Sequence, residues 1–399
     1  MAMMPGGARR AWRGVAACAL ATALALTACS RGGGAGAEDP TDSADPPVTV
    51  TITEPSDATT NVAASTEIIF TTERATDVTV ELADLDGNSI DGELDEEDSS
   101  WLPAVQLAYD TTYVATVTAV GATGETTVQT STFTTMPEPE KLVRVSSFIG
   151  DDQVIGVALP LIINFGREIP EELRADVERR MTVRTEPAQE GTWHWVTPAE
   201  VHYRPQEFWE KDTQINYRIA TGGLPMGDGW YGGNDLTVAA SVGNAVVMTV
   251  DNATKTMTVE RDGEVLRTIP VSLGKRSTPS SSGILMVMEK HRKTVFDTRE
   301  ELSPEEAYVL DIEYAQRLTY TGEFMHAAPW SVDDQGERNV SHGCVNMSDE
   351  NAEWLFNLTK TGDPVIVKGT ERQVAPGEGW TDWNMSWERY LEGSALYEG

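Results

Sequence analysis

Hydrophobic and polar positions alternate in short runs along most of the chain, the two-residue period of strands with one buried face. Val48-Thr49-Val50-Thr51-Ile52, Val78-Thr79-Val80-Glu81-Leu82 and Tyr113-Val114-Ala115-Thr116-Val117 set the pattern, with Asp86-Gly87-Asn88 and Gly121-Ala122-Thr123-Gly124 as turns. About seven such strands over residues 47–138, with no cysteine pair among them, predict an Ig-like sandwich without a disulfide. Pro137-Glu138-Pro139 makes a stiff exit. A second Ig-like domain is expected over 139–242, with Leu161-Ile162-Ile163-Asn164-Phe165, Trp193-His194-Trp195 and Val201-His202-Tyr203 as strand signals. His194 and His202 stand beside aromatics there and read as surface or satisfied core histidines, not ligands.

A third β-rich unit is expected over 243–369. Val246–Val250 and Thr256–Glu260 flank Asp251-Asn252-Ala253-Thr254 as a hairpin, and Arg261-Asp262-Gly263 turns the chain into Val265–Val271. Further β runs are expected near Ile284–Met288, Leu318–Met325 and Val365–Val367. One helix is signposted, with Ser348 as N-cap, Asp349 and Glu350 in its first turn, and Ala352, Leu355 and Phe356 on one face. The final stretch, 370–399, carries Trp380, Trp383, Trp387, Tyr390 and Tyr397, more aromatics than a disordered tail holds. It is expected to fold back as a short amphipathic helix onto the interface of the last two domains; stacking on sugar rings is the alternative use of its aromatics.

The strand pattern is absent from the N-terminus. Arg9, Arg10 and Arg13 precede an Ala/Leu-rich stretch ending in Leu26-Thr27-Ala28-Cys29, so residues 1–28 read as a secretory signal of lipoprotein type, too short for a membrane span. Cys29 would become the lipidated N-terminus, and 29–46, rich in Gly, Ala, Ser, Asp and Pro, a flexible tether. The protein is then expected outside the cytoplasm, anchored to the cell membrane and facing the cell wall. The formal net charge is -33, and loss of the signal, with its three arginines and no acids, makes it more negative still. That acidity favours solubility and argues against a nucleic-acid partner. Lys290-His291-Arg292-Lys293 is a local exception, read as a solvated loop or as a contact for a substrate carboxylate.

The cysteine count sharpens the chemistry. Cys18 leaves with the signal and Cys29 is acylated, so Cys344 is the one remaining thiol, with no partner for a disulfide. It lies in Ser341-His342-Gly343-Cys344-Val345-Asn346, a few residues before the helix, and His326 ends a β run upstream. A nearby histidine and a helix N-terminus both favour the nucleophilic thiolate, and Gly343 lets backbone N–H groups approach one oxyanion. The His326, His342 and Cys344 trio lacks the close paired spacings of a structural zinc site.

Met325-His326-Ala327-Ala328-Pro329-Trp330 followed by Ser341-His342-Gly343-Cys344-Val345-Asn346 resembles the signature of YkuD-type L,D-transpeptidases. The whole arrangement is similar to actinobacterial members with a lipobox, two Ig-like domains, a β-rich catalytic domain with few helices and a Trp-rich C-terminal extension. The resemblance implies Cys344 as nucleophile and His326 as general acid/base, with His342, Gly343 and Cys344 supplying backbone donors and shape for the oxyanion. Asn346 would shape the site and contact substrate. Tyr308, Tyr320, Thr321 and Gly322 fall where the family has its flap and cleft, and Trp330 would pack under the flap or rim the cleft. Related members have Ser where this chain has Ala327, which would matter only if the hydroxyl, and not the backbone carbonyl, orients the imidazole.

The implied activity is a 3→3 cross-link between peptidoglycan stem peptides, through a cysteine acyl-enzyme on a tetrapeptide with release of D-alanine. Carbapenems and penems are the implied inhibitors, and the implied chemistry requires no metal or organic cofactor. Two other readings stay open: an L,D-carboxypeptidase that hydrolyses the same acyl-enzyme, and a non-catalytic lipoprotein that binds the wall.

Overall fold

The computed structural model describes residues 46–95, 99–299, 307 and 309–399. The signal, Cys29, the tether up to residue 45 and Tyr308 lie outside the described residues. Nine strands between Thr49 and Thr135 form the first sandwich, a four-stranded sheet facing a five-stranded one. Its long central strand Thr112–Gly121 alternates as the sequence demands, with Tyr113, Ala115, Val117 and Ala119 buried in the core beside Ile68, Phe70 and Phe133. The second sandwich pairs two four-stranded sheets around Leu161, Ile163, Trp193, Tyr203, Trp209 and Tyr217. It also carries a helix absent from the sequence reading, α1 (Glu171–Glu178), with Pro170 at its N-cap and two acids in its first turn. The signal for it was present: acids in a first turn and apolar residues four apart at Leu173 and Val177.

The third unit is built on two sheets, whose strands are numbered here from its own start. One runs β3-β2-β1-β9-β4-β10, where β1 is Val246–Asp251, β2 Thr256–Arg261, β3 Glu264–Pro270, β4 Ser281–Met286, β9 Pro364–Lys368 and β10 Arg372–Gln373. The other runs β5-β6-β7-β8, with β5 Glu289–Asp297, β6 Val309–Arg317, β7 Phe324–Ala327 and β8 Val345–Met347. Helix α2 (Asp349–Leu358) starts at Ser348, whose hydroxyl accepts the Asn351 N–H at 3.3 Å, and buries Ala352 and Leu355 against β6 and β7.

Two expectations need correction. The run Leu318–Met325 is not one strand: Leu318 and Thr319 both turn their N–H groups to the Glu323 carbonyl, and β7 begins only at Phe324. The basic cluster at 290–293 is no loop. It lies in β5, and each of three of its residues is engaged: Lys290 on the end of α2, His291 with Glu289, and Arg292 with Glu313 and over the Tyr314 ring. The strand β5 escaped the sequence reading because Glu289–Lys293 is polar on both faces, which leaves no apolar alternation to read.

The C-terminal extension does fold back. Asp382–Asn384 forms a 3-10 turn and Trp387–Leu391 the short helix α3; Trp380 and Tyr390 are buried against the second sandwich, and the Asn384 side chain pairs with both N and O of Ile284 in β4. The Trp383, Trp387 and Tyr390 rings surround the Arg204 guanidinium, so these aromatics are engaged within the fold. His194 and His202 are satisfied, the first on the Tyr390 carbonyl and the second between Asp382 and Glu200.

Candidate active site

The parallel pairing of β7 with β8 assembles the site. Its register sets Met325 beside Val345 and His326 beside Asn346, so Cys344, immediately before β8, falls alongside Phe324. Residues two apart share a face of a strand, which puts His326, Asn346, Phe324 and Cys344 on one side of the sheet. Eighteen positions of sequence separate thiol and imidazole; neighbouring parallel strands remove that distance.

His326 is buried, and its Nδ1 lies 2.8 Å from the Ala327 carbonyl. A carbonyl only accepts, so Nδ1 carries the proton and Nε2 keeps its lone pair. Orientation therefore runs through the backbone, and Ala327 suffices. Phe296 meets the ring edge-on at 5.3 Å between centroids, and Trp330, exposed, stands 6.0 Å away. Burial pushes the imidazole down to about 4.

Cys344 is half-buried against Ile312, Ala315 and Phe324, and its thiol donates to the Gly322 carbonyl at 3.8 Å. Burial, with the negative charge of Glu323 beside it, pushes this thiol up to about 12. Burial therefore favours the neutral thiol and the neutral imidazole, against the direction that the sequence argument draws from histidine and helix. The helix end is out of range as well, because Ser348 stands four extended residues beyond Cys344, about 13 Å along the chain, and a helix terminus acts over its first turn.

The loop before the thiol is tightly held. Ser341 Oγ donates to the Cys344 carbonyl at 2.6 Å and accepts the Gly343 N–H at 3.1 Å, while Ser280 Oγ donates to the Gly343 carbonyl at 2.6 Å. Gly343 has φ +131°, a backbone region that side chains other than hydrogen resist. Its N–H is committed to Ser341 at rest, so it becomes an oxyanion donor only if that contact yields. His342 Nε2 lies 3.0 Å from the Lys275 ammonium. Asn346 is buried, with its amide on Ser331 Oγ at 3.3 Å and both backbone groups on Ser272.

Cys344 lines two spaces. A cleft of about 670 Å³ takes in His342, Gly343, Tyr320, Thr321 and Gly322, and a cavity of about 230 Å³ takes in His326, Trp330 and Asn346. Every described site residue read from the sequence therefore borders one space or the other; Tyr308 lies outside the described residues. The sequence reading missed Lys275, Ser280, Ser281, Glu323 and Arg372. Glu323 is buried, and both of its oxygens accept from Ser281, with Arg372 on one of them. Only the position of Glu323 inside the conspicuous run before His326 hinted at it.

Residues 245–367 match the L,D-transpeptidase catalytic domain family (YkuD), and residues 59–225 match a bacterial Ig domain family. L,D-transpeptidase 2 of Mycobacterium tuberculosis is 32% identical over an alignment covering 97% of this chain and 96% of that protein. L,D-transpeptidase 5 of the same organism is 35% identical, over 73% of this chain and 64% of its own length. Among solved structures, an L,D-transpeptidase in complex with imipenem is 34% identical over 58% of this chain and 100% of that one, with a TM-score of 0.49. L,D-transpeptidase 3 of M. tuberculosis, with a faropenem-derived adduct, is 30% identical over 56% and 97%, with a TM-score of 0.48.

Proposed function

The chain belongs to the L,D-transpeptidase family, and on that premise we propose that it forms 3→3 peptidoglycan cross-links through an acyl-enzyme on Cys344. The observation that carries the reading is the β7–β8 register, which lays the Cys344 thiol beside an imidazole whose Nε2 is free to accept its proton.

Attack by Sγ on the carbonyl of the third residue of a tetrapeptide stem forms the C–S bond as the thiol proton passes to Nε2. The tetrahedral oxyanion is held by backbone N–H groups of the 342–344 loop, and its collapse breaks the C–N bond to D-alanine, whose nitrogen takes the proton from His326. The side-chain amine of a second stem then attacks the thioester, gives its proton to His326, and the thiol is regenerated. A neutral resting pair suits this cycle: the charges form only as substrate displaces water, and the thiol is protected meanwhile. The same acyl-enzyme would form with a carbapenem or penem by opening of the β-lactam ring.

The test is intact-mass spectrometry of the soluble 47–399 region with a carbapenem, beside Cys344→Ala. A single adduct on the wild type alone is the expected result; a folded wild type that stays unmodified would return the wall-binding reading. Supplying a tetrapeptide donor with and without an acceptor amine then separates transfer from hydrolysis. The anchor is part of the same proposal: lipidation at Cys29 would hold the enzyme on the outer face of the cell membrane, within reach of the wall. Cys29→Ala should release the protein from the membrane fraction, and retention would exclude that anchor.

A further inference from the structure

The two lips of the larger cleft are fastened to one dipeptide of β4 and its approach. Ser280 donates to the Gly343 carbonyl on the thiol's side and accepts the Gly274 N–H. Ser281, the next residue, gives its N–H at 3.0 Å and its hydroxyl at 2.6 Å to Glu323 on the opposite side. Glu323 directly follows Gly322, whose carbonyl accepts the Cys344 thiol, and its Cγ comes within 3.6 Å of where a side chain on Gly343 would begin. Burial raises the Glu323 carboxyl above its usual range, and three donors oppose that by favouring the charged form, Ser281 twice and Arg372 Nη1 at 3.0 Å. Arg372 comes from β10, at the start of the C-terminal extension, where it also binds Glu378. Glu378 in turn accepts the Tyr320 N–H through its carbonyl, at 2.8 Å.

We propose that Glu323 and Arg372 act as positioning residues for Cys344: the pinned carboxylate sets the width of the cleft and the field at the sulfur, and Arg372 offsets its charge. The proposal rests on Cys344 being the nucleophile. The arrangement answers a requirement of that chemistry. A thiol that waits neutral between encounters needs its negative form disfavoured, and a buried carboxylate against the thiol's own loop does this; too strong a field would stop the reaction, and a guanidinium at the cleft rim limits it. The other charged or titratable groups around the sulfur are His326 on β7, His342 on the thiol's own loop with Lys275 from the segment between β3 and β4, and, farther along the cleft, Tyr320, His291, Asp297 and Arg317. None of them makes a hydrogen bond or ion pair with Glu323.

The field is read by alkylating the 47–399 region with iodoacetamide at pH 8, because Cys344 is the sole cysteine in that span and the reagent reacts with thiolate. Glu323→Gln, which removes the charge and keeps the shape, should alkylate roughly three- to tenfold faster, and Arg372→Gln, which leaves the carboxylate uncompensated, slower by a similar factor. The double variant should return near the wild-type rate. A purely structural role predicts something else: each change loosens the cleft and both single variants react faster. Shifts of the two singles in the same direction, or no shift in either, would overturn the proposal. Arg372 is partly exposed, so its variant keeps the test available should Glu323→Gln fail to fold. Carbapenem adduct formation, followed in parallel, distinguishes failure of this proposal from failure of the nucleophile assignment: alkylation rates report the field whether or not the protein acylates.

Discussion

At the scale of single residues, the site depends on where two protons rest. Burial pushes the thiol up to about 12 and the imidazole down to about 4, so both shifts favour the neutral forms across the physiological range. Acylation by a bound β-lactam should therefore change little between pH 5 and pH 8, whereas capture by free thiolate would rise about tenfold per pH unit. A stopped-flow pH profile of carbapenem acylation distinguishes the two. His326→Gln keeps the ring's volume roughly and removes the proton acceptor; it should slow acylation by about 100- to 10,000-fold while the protein keeps its melting temperature to within a few degrees. The role of position 327 is equally local. Its carbonyl, common to every residue type, fixes the tautomer of His326, which is why alanine serves there.

At the scale of elements, the strand pair β7–β8 and helix α2 form one unit, and Lys290 of β5 secures its far end. The ammonium donates to the Phe356 carbonyl at 2.6 Å and the Thr359 carbonyl at 2.5 Å, the groups a helix C-terminus leaves without partners, and it lies over the Phe356 ring at 4.5 Å. Lys290→Met preserves the stem and removes the charge. It should cost about 1–2 kcal/mol of stability, visible as a lower denaturant midpoint and faster amide exchange in the last turn of α2, with the rate of acylation nearly unchanged. Equal exchange in the two proteins would mean that the cation contributes nothing there. The sequence announced α2 through its N-cap and acids; its C-terminal cap comes from a strand more than sixty residues upstream and had no local signature.

At the scale of the whole molecule, the extension joins the second sandwich to the third unit. Its Asp382 meets His202 at 2.8 Å, with Glu200 on the other ring nitrogen at 3.1 Å. Burial pulls the His202 imidazolium down, but the charge and hydrogen bond of Asp382, with Glu200, outweigh it and lift the group to about 9. A folded value above the unfolded one near 6.5 stabilises the docked extension fully below pH 6.5, and that contribution is lost as pH rises through 9. Limited proteolysis should clip the 380–399 segment several-fold faster at pH 9.5 than at pH 6.5, after correction for the protease's own profile. His202→Gln should remove that difference. The two sandwiches are joined by another buried cation: Arg180 gives a hydrogen bond to the Ser65 carbonyl at 2.6 Å and pairs with Glu67 at 2.9 Å.

The sequence by itself determined the β character of the chain, the position of α2, the folding back of an aromatic-rich tail and the residues around Cys344. These follow from local causes: a two-residue period, a capping serine, buried aromatic area, and a short motif whose members lie close along the chain. Tertiary structure alone decided the protonation state of the site and its supporting partners. Whether Cys344 rests as thiol or thiolate depends on burial and on Glu323, brought against Gly343 by Ser281 from some forty positions earlier. Arg372 counters that carboxylate from forty-nine positions later. Electrostatic energy depends on distance through space, and only folding sets that distance.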